Sequence, residues 1–289
     1  MPSTTRETHA GDGTPIQVRR WAPAGEPWAH VVLVHGLAEH SGRYEHVGGW
    51  MADSGLDVTA DDLRGFGASG GRRAFVDRWE RYHDDLEERL TEVRAGTDRL
   101  PVALYGHSMG GLIAFGYAVA EPARPLPDAL VLSAPAVDSS LPRWQRRLAR
   151  VLTRVAPGYQ VRNAFDGTIL SRDPAVAERY LADPLNHHST TTRLGAEALR
   201  EQARVSAALD RLAIPTLVVH GGADRLVPTS LSEPFDRLPN VTRRTYPDLR
   251  HETHNEPEGE AVVAETVAWL RSVLDSDATE DRLRGARTR

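Results

Sequence analysis

The segment Val102–Gly111, VALYGHSMGG, constrains the fold of this chain more than any other part of it. It combines a short apolar strand, the sequence G-H-S-M-G and an apolar helix, which is the pattern of a nucleophile elbow. In such a turn Ser108 is strained so that its Oγ projects above the sheet, while Gly106 and Gly110 leave room for the strand and helix backbones. A glycine-rich turn with a chance serine is the alternative, and the flanking strand and helix argue against it. The segment therefore predicts a strand–turn–helix unit that presents a nucleophilic serine.

Short apolar segments alternate with helical patterns along most of the chain. Runs without clean alternation of apolar and polar residues suit a sheet buried on both faces. The pattern predicts an α/β fold, with a mostly parallel central sheet flanked by helices. The predicted strands are Val31–His35, Leu56–Asp61, Val102–Tyr105, Ala129–Leu132 and Thr216–His220, with a further candidate at Val241–Tyr246 and an N-terminal hairpin turning at Asp12-Gly13. The predicted helices are Trp79–Ala95, Met109–Ala120 and a C-terminal helix containing Val263, Val267, Leu270 and Leu274.

The alternation of strands and helices is interrupted between Val137 and Leu212. This stretch has helical patterns and no clear strand, so residues 138–211 are expected to form a helical cap over the strand ends. Residues 1–137 and 212–274 would then form the core, and the polar residues 275–289 a disordered tail.

One helix of the predicted cap, Arg143–Val155, is basic and amphipathic. Two interpretations stay open: its apolar side packs on the domain below, or it docks on an anionic lipid surface. The apolar side carries Trp144, Leu148, Val151, Leu152 and Val155, and the basic side carries Arg143, Arg146, Arg147, Arg150 and Arg154.

The amino-acid composition excludes several kinds of catalytic and binding site. The chain has 289 residues, no cysteine and no lysine, which excludes a cysteine nucleophile, a thiolate metal site, a Walker lysine and a Schiff-base lysine. Its net charge of -5 gives no general electrostatic drive toward nucleic acid. The N-terminal residues are polar and the longest apolar run is too short to span a bilayer, so we expect a cytoplasmic protein, with peripheral membrane contact through the cap as the open alternative.

A nucleophilic serine needs a base, and the base needs a carboxylate that orients it. With an elbow of this kind the chain order is Ser, then Asp or Glu, then His. Asp224 and His251 follow in that order, each just past the end of a strand, where ligands bind in open α/β sheets. An isolated Asp or His in a loop is usually only solvated, but their position behind the elbow predicts Ser108, Asp224 and His251 as a catalytic triad.

Two backbone N–H groups are predicted to form an oxyanion hole for this triad. One belongs to Met109, the residue after the nucleophile, and the other to Leu37, in the loop after an early strand. The reaction is then acyl transfer through the serine, and it requires no metal and no cofactor.

Six segments together resemble the monoacylglycerol lipases, a family often described with the lysophospholipases: HGLAEHSGRY, DLRGFGASGG, GHSMGG, LSAPAV, HGGADRLVP and HETHNEPE. The resemblance extends from about Val31 to Leu274. It implies the α/β-hydrolase fold with a cap, hydrolysis of a monoglyceride ester, and the same triad and oxyanion donors. It also implies that Glu39, Arg43 and His254 contact the glycerol hydroxyls. Ala38 and Phe66 stand where the family commonly has Gly and His, which affects substrate detail more than reaction type.

Three other functions fit the sequence less well. Gly65–Gly70, GFGASG, fits the Gly-x-Gly-x-x-Gly pattern of a nicotinamide-dependent oxidoreductase, but the residues after it do not open a helix. His251 and His254 are three residues apart, whereas the zinc motif H-E-x-x-H needs a spacing of four on a helix. A ligand-binding protein without activity is a third alternative, because fold alone does not prove catalysis. Among esterases, lysophospholipase and general carboxylesterase activities stay open.

Overall fold

Strands and helices alternate along the chain in the structure, a computed structural model that describes residues 2–96, 100–139, 141–163 and 167–275. The strands are β1 Thr4–His9, β2 Pro15–Trp21, β3 Ala29–Val34, β4 Leu56–Asp61, β5 Val102–His107, β6 Ala129–Ser133, β7 Gln160–Arg162, β8 Ser189–Thr191, β9 Thr216–Gly221 and β10 Val241–Tyr246. The α-helices are α1 Glu45–Asp53, α2 Glu80–Ala95, α3 Met109–Ala118, α4 Arg143–Val155, α5 Pro174–Ala182, α6 Thr192–Ala207 and α7 Gly259–Leu274.

Eight of the described strands form one sheet, in the order β1-β2-β4-β3-β5-β6-β9-β10. Neighbouring strands from β4 to β10 pair in parallel, whereas β2 runs antiparallel to β4 and forms a hairpin with β1. The predicted α/β fold with a mostly parallel sheet and an N-terminal hairpin is confirmed. Because β5 lies near the middle of the sheet, the turn that follows it opens at the centre of the carboxyl edge.

Both faces of the central strands are buried, which explains the apolar runs in β3, β5, β6 and β9. Along β3, Val32 packs with α2 and α3 on one face, while Val31 and Leu33 pack with α1 and α7 on the other. Helix α3 is buried at all ten of its positions, as its uniformly apolar sequence predicts. The buried sheet and α3 thus form the rigid base on which the turn after β5 rests.

Residues 138–211 contribute no described strand to the large sheet and contain α4, α5 and α6. The expectation that this stretch carries no strand is wrong, because β7 and β8 pair as a short antiparallel ribbon. Each strand has only three residues, too few for a recognisable alternation, and their pairing joins segments that are distant in sequence. The helix predicted at Arg143–Val155 is present with the same limits. Of the predicted tail, residues 276–289 lie outside the described residues.

The glycine-rich segment Gly65–Gly70 forms a loop after β4. Its turn is closed by a hydrogen bond from Gly65 N to Gly70 O of 2.8 Å, and the next α-helix begins only at Glu80. No helix N-terminus therefore follows these glycines, as a dinucleotide-binding turn would require. Among the residues that the structure describes, no helix is both long enough and apolar enough to cross a membrane.

Candidate active site

Ser108 occupies the turn between β5 and α3. Its backbone φ of 53° lies in the left-handed region, which a residue with a side chain adopts only under strain. Ser108 N donates to Ser133 O at 2.9 Å, and Ala136 N donates to Ser108 O at 3.0 Å. These bonds hold the strained serine at the N-terminus of α3, where the helix dipole favours negative charge.

Gly106 and Gly110 allow the strand and the helix on either side of Ser108 to approach closely. A Cβ on Gly106 would lie 2.4 Å from the Gly110 carbonyl oxygen, and a Cβ on Gly110 would lie 2.1 Å from the Val34 carbonyl oxygen. Both obstacles are backbone atoms that cannot swing aside, so any larger residue would push α3 off the sheet. The two glycines are therefore required by packing around the turn.

Asp224 and His251 form a buried hydrogen-bonded pair beyond the ends of β9 and β10. The distance between His251 Nδ1 and Asp224 Oδ2 is 2.7 Å. The other carboxylate oxygen accepts from Leu226 N at 2.8 Å and from Val227 N at 2.9 Å, which fixes its orientation. Because an ionised carboxylate can only accept, Nδ1 of His251 must carry the proton, and Nε2 is left with a free lone pair.

The surroundings of Asp224 keep this carboxyl group ionised. Burial by itself raises the pKa of Asp224, but the neighbouring His251, a hydrogen bond from His220 and the Val227 N–H outweigh burial and hold the pKa well below its usual range. A second histidine, His220, lies with its Nε2 3.3 Å from Asp224 Oδ2. The carboxylate is thus ready to orient an imidazole and to stabilise its protonated form.

The structure brings Ser108 and His251 to the wall of one cavity of about 400 Å³. Leu37 and Met109, the predicted oxyanion donors, line the same cavity. Much of the remaining lining is apolar and comes from α3, α6 and the loop after β9: Leu112, Leu194, Ala198, Leu226, Val227 and Leu231. A cavity with apolar walls and a few polar groups beside a nucleophile suits a substrate with an acyl chain.

The loop that carries Leu37 is strained at the next residue. Ala38 is fully buried and has a φ of 66°, the left-handed conformation that glycine adopts at little cost. A glycine at this position would adopt the same conformation at lower cost. The loop is held by Glu39, whose carboxylate accepts from Gly36 N and, at 2.8 Å, from Tyr44 Oη.

Arg43 lies between two buried carboxylates. Its guanidinium donates to Glu39 and makes a two-pronged contact with Glu252, Nη1 to Oε1 at 2.7 Å and Nη2 to Oε2 at 2.8 Å. Its planar face lies over the ring of Tyr180, 5.0 Å from the ring centroid. All four side chains line the cavity, so they form its most polar part. We call Glu39, Arg43 and Glu252 the carboxylate–arginine cluster.

Sequence reasoning missed Glu252. Its position in the sequence could have indicated it, because Glu252 directly follows His251 and a residue next to a triad histidine lies close to the active site. Burial by itself raises the pKa of Glu252, but the Arg43 guanidinium outweighs burial and holds the pKa well below its usual range. Glu252 is therefore an ionised group at the cavity, although it is almost fully buried.

His254 does not line the cavity, unlike Glu39 and Arg43. Its ring stacks on Tyr44 with centroids 5.0 Å apart and meets the edge of His107 at 4.9 Å. Both of its ring nitrogens are buried without a hydrogen-bond partner in the described part of the chain. His254 therefore packs against His107, and it is His107 that lines the cavity.

Polar contacts join the inserted residues 138–211 to the loops of the site. His40 Nε2 lies 2.8 Å from Asp183 Oδ2, next to the loop that carries Glu39. Glu256, another residue that sequence reasoning missed, accepts from Arg250 N at 2.6 Å and from Arg172 N at 3.0 Å. The insertion is thus bonded to the loop of Glu39 through Asp183 and to the loop of His251 through Arg172.

The described residues hold no group of three or more His, Asp or Glu side chains arranged to bind a metal ion. The arrangement around Ser108 instead combines a strained serine and a buried Asp–His pair. Groups of these types together perform nucleophilic acyl transfer.

Comparisons with known proteins agree with this chemistry. A family model described as serine aminopeptidase, S33, matches residues 25–258. The chain is 38% identical over 286 residues to the monoacylglycerol lipase of Mycolicibacterium smegmatis (strain ATCC 700084 / mc(2)155), which covers 95% of this chain and 100% of that protein. It is 31% identical over 247 residues to phospholipase YtpA of Bacillus subtilis (strain 168), covering 83% and 93%.

A solved structure is similar over most of the chain. The crystal structure of the Paleococcus ferrophilus monoacylglycerol lipase superposes with a TM-score of 0.78 and 30% sequence identity, covering 89% of this chain and 99% of that one. The similarity therefore includes both the large sheet and the residues inserted above it.

Proposed function

The chain belongs to the family of serine α/β-hydrolases that contains the monoacylglycerol lipases, and from that membership we propose that it hydrolyses a monoacylglycerol to glycerol and a fatty acid. It has the α/β-hydrolase fold and is a serine carboxylic ester hydrolase. The observation that carries the proposal is the convergence of Ser108 and the Asp224–His251 pair on a largely apolar cavity that also contains the carboxylate–arginine cluster.

The proposed mechanism is a two-step acyl transfer. His251 Nε2 takes the proton of Ser108 Oγ as that oxygen attacks the ester carbonyl, and the amides of Leu37 and Met109 hold the oxyanion. Glycerol leaves with the proton from His251. Water, activated by the same histidine, then releases the fatty acid from the serine. Asp224 orients the imidazole and stabilises its charged form in both steps.

Glu39 and Arg43 are proposed to contact the glycerol hydroxyls directly, because both line the cavity. His254 is proposed to belong to the same alcohol pocket through His107, against which it packs. Residues 138–211 are proposed to be a cap that covers this pocket, on a core formed by residues 1–137 and 212–274.

The relatives include both a monoacylglycerol lipase and a phospholipase, so the head group needs its own test. We expect the purified full chain to cleave a monoacylglycerol with a kcat/KM at least about tenfold above that for lysophosphatidylcholine of the same acyl chain, a difference of about 1.4 kcal/mol in transition-state binding. A p-nitrophenyl ester of that acyl chain reports whether the acyl-transfer machinery works. Cleavage of the nitrophenyl ester with a preference for the lysolipid would contradict the proposed substrate.

Contact with a membrane surface is proposed through α4. Trp144, Val151 and Val155 on this helix are 63%, 55% and 74% exposed, so these three apolar side chains do not pack on the domain below. The side chains of Arg143, Arg147, Leu148 and Arg150 lie outside the described residues. Leu141, just before the helix, is both exposed and part of the cavity lining, which places the apolar surface of α4 beside an opening to the site.

Replacing Trp144, Val151 and Val155 together by serine should weaken co-sedimentation with anionic phospholipid vesicles at least about tenfold, because each buried apolar side chain contributes about 1.5–3 kcal/mol. Hydrolysis of a soluble nitrophenyl ester should not change. Leu126→Ser, at an exposed leucine outside the insertion, is the matched control and should sediment as the unmodified protein does. Equal sedimentation of the triple variant and the unmodified protein would remove the membrane role from α4.

A further inference from the structure

The guanidinium of Arg43 is occupied by carboxylates. Its Nη1 is shared between Glu39 and Glu252, and its Nη2 binds Glu252. In the described part of the chain it is the only Arg or Lys side chain that lines the cavity. An arginine that already serves two carboxylates has little capacity left for a bidentate contact with a phosphate.

The charges of the carboxylate–arginine cluster do not cancel. Two carboxylates face one guanidinium, and His107 and His254, the two histidines that act electrostatically on Glu252, add no positive charge. Burial, together with the neighbouring His251, lowers the pKa of His107 to about 3, and burial likewise lowers the pKa of His254 well below its usual range. The polar part of the cavity is therefore negative near neutral pH.

A negative, buried cluster distinguishes between head groups. A glycerol hydroxyl can donate to a carboxylate and gains from its charge. A phosphate on the same glycerol would have to be desolvated beside two carboxylates, and the described lining of the cavity offers no free cation to pair with it. Repulsion of this kind is one way in which a site rejects a competing ligand.

We propose that Glu252 is a specificity-determining residue, an inference that rests on the function proposed above. Its charge restricts the site to uncharged glycerol esters and excludes glycerol esters that carry a phosphate. Glu39 and Arg43 alone would form a neutral pair. Glu252 adds the second carboxylate and, by its two bonds, fixes Arg43 against the ring of Tyr180.

The test measures binding without turnover. In the full chain carrying Ser108→Ala, calorimetry compares a 1-O-alkylglycerol with the 1-O-alkylglycerol 3-phosphate of the same chain length, both below their micelle concentrations. We expect the uncharged ether to bind at least about tenfold more tightly, since like charges a few ångströms apart in a protein interior repel by more than that. Adding Glu252→Gln should reduce this preference by about tenfold, because glutamine keeps the shape and an acceptor but loses the charge.

Two further variants separate charge from shape. Glu252→Asp keeps the charge and should retain the preference, even if both ligands bind less tightly. Glu260→Gln, at an exposed glutamate at the start of α7, should leave both affinities unchanged. Equal binding of the two ethers to Ser108→Ala alone would overturn the proposal without any change at Glu252, and so would an unaltered preference in a folded Glu252→Gln protein.

The binding test of Glu252 and the activity test of the proposed substrate can fail separately. If the unmodified enzyme does not cleave monoacylglycerols while the charge-dependent preference is present, the proposed function fails and the role of Glu252 stands. If the enzyme cleaves monoacylglycerols and the preference is absent, the role of Glu252 fails and the proposed function stands.

Discussion

Replacing Ser108 with alanine should abolish covalent labelling by a fluorophosphonate and lower kcat by about 10⁴- to 10⁶-fold, because the members of a triad act as a unit. Residual activity would come from the oxyanion donors and the binding cavity alone. The change removes one oxygen from a turn that is held by backbone bonds from Ser108 N and to Ser108 O. The fold should therefore be retained, and thermal unfolding should give a midpoint close to that of the unmodified protein.

The matched control for Ser108 is Ser54→Ala. Ser54 lies just before β4, at the opposite edge of the sheet, and its hydroxyl donates only a helix-end bond to Trp50 O. This variant should keep full labelling and turnover. Labelling that persists in Ser108→Ala, or that maps by mass spectrometry to another serine, would place the nucleophile elsewhere.

Replacing Asp224 with asparagine should lower kcat by about 10³- to 10⁴-fold while the protein stays folded. The amide oxygen can keep the two bonds from Leu226 N and Val227 N. The amide NH₂ then occupies the place of Oδ2 and donates toward His251 Nδ1. His251 must accept there and carry its proton on Nε2, which is the tautomer that cannot take a proton from Ser108.

Asp248→Asn is the control for this change, at an exposed aspartate in the loop before His251. Single-turnover acylation by a nitrophenyl ester measures the step in which the base acts. In the unmodified enzyme the pKa of Asp224 is held well below its usual range, so the carboxylate contribution is lost only when the pH falls below that range. Acylation by Asp224→Asn at the unmodified rate across pH 5 to 9 would assign the orienting role to another group.

The site residues differ in how far the sequence could predict them. Ser108 and its two glycines form a local motif, because the steric requirements of the turn are set by adjacent residues. Asp224 and His251 could be placed because they follow strands whose order along the chain is readable, and their 2.7 Å contact agrees with that placement. Glu39 and Arg43 were named only through resemblance to a family, and both line the cavity.

Glu252 could not be assigned a role in the same way. Its partner Arg43 is 209 residues earlier in the chain, and no local pattern links the two. His254 shows the converse limit. The resemblance implied that it contacts the glycerol hydroxyls, whereas in the structure it lies in the 3-10 helix Thr253–Asn255 and its ring packs against His107.

The sequence by itself determined the alternating strands and helices, the nucleophile elbow and the chain order of the triad. Each of these depends on interactions between near neighbours: apolar periodicity, the left-handed turn at Ser108, and the absence of side chains at Gly106 and Gly110. Only the tertiary structure decided the pairing of Arg43 with Glu252, the ribbon of β7 and β8, and the exposure of Trp144 on α4. The two pairings join segments that are far apart in the chain, and the exposure of Trp144 depends on what packs against α4. The energies of all three depend on which groups the fold brings together and removes from water.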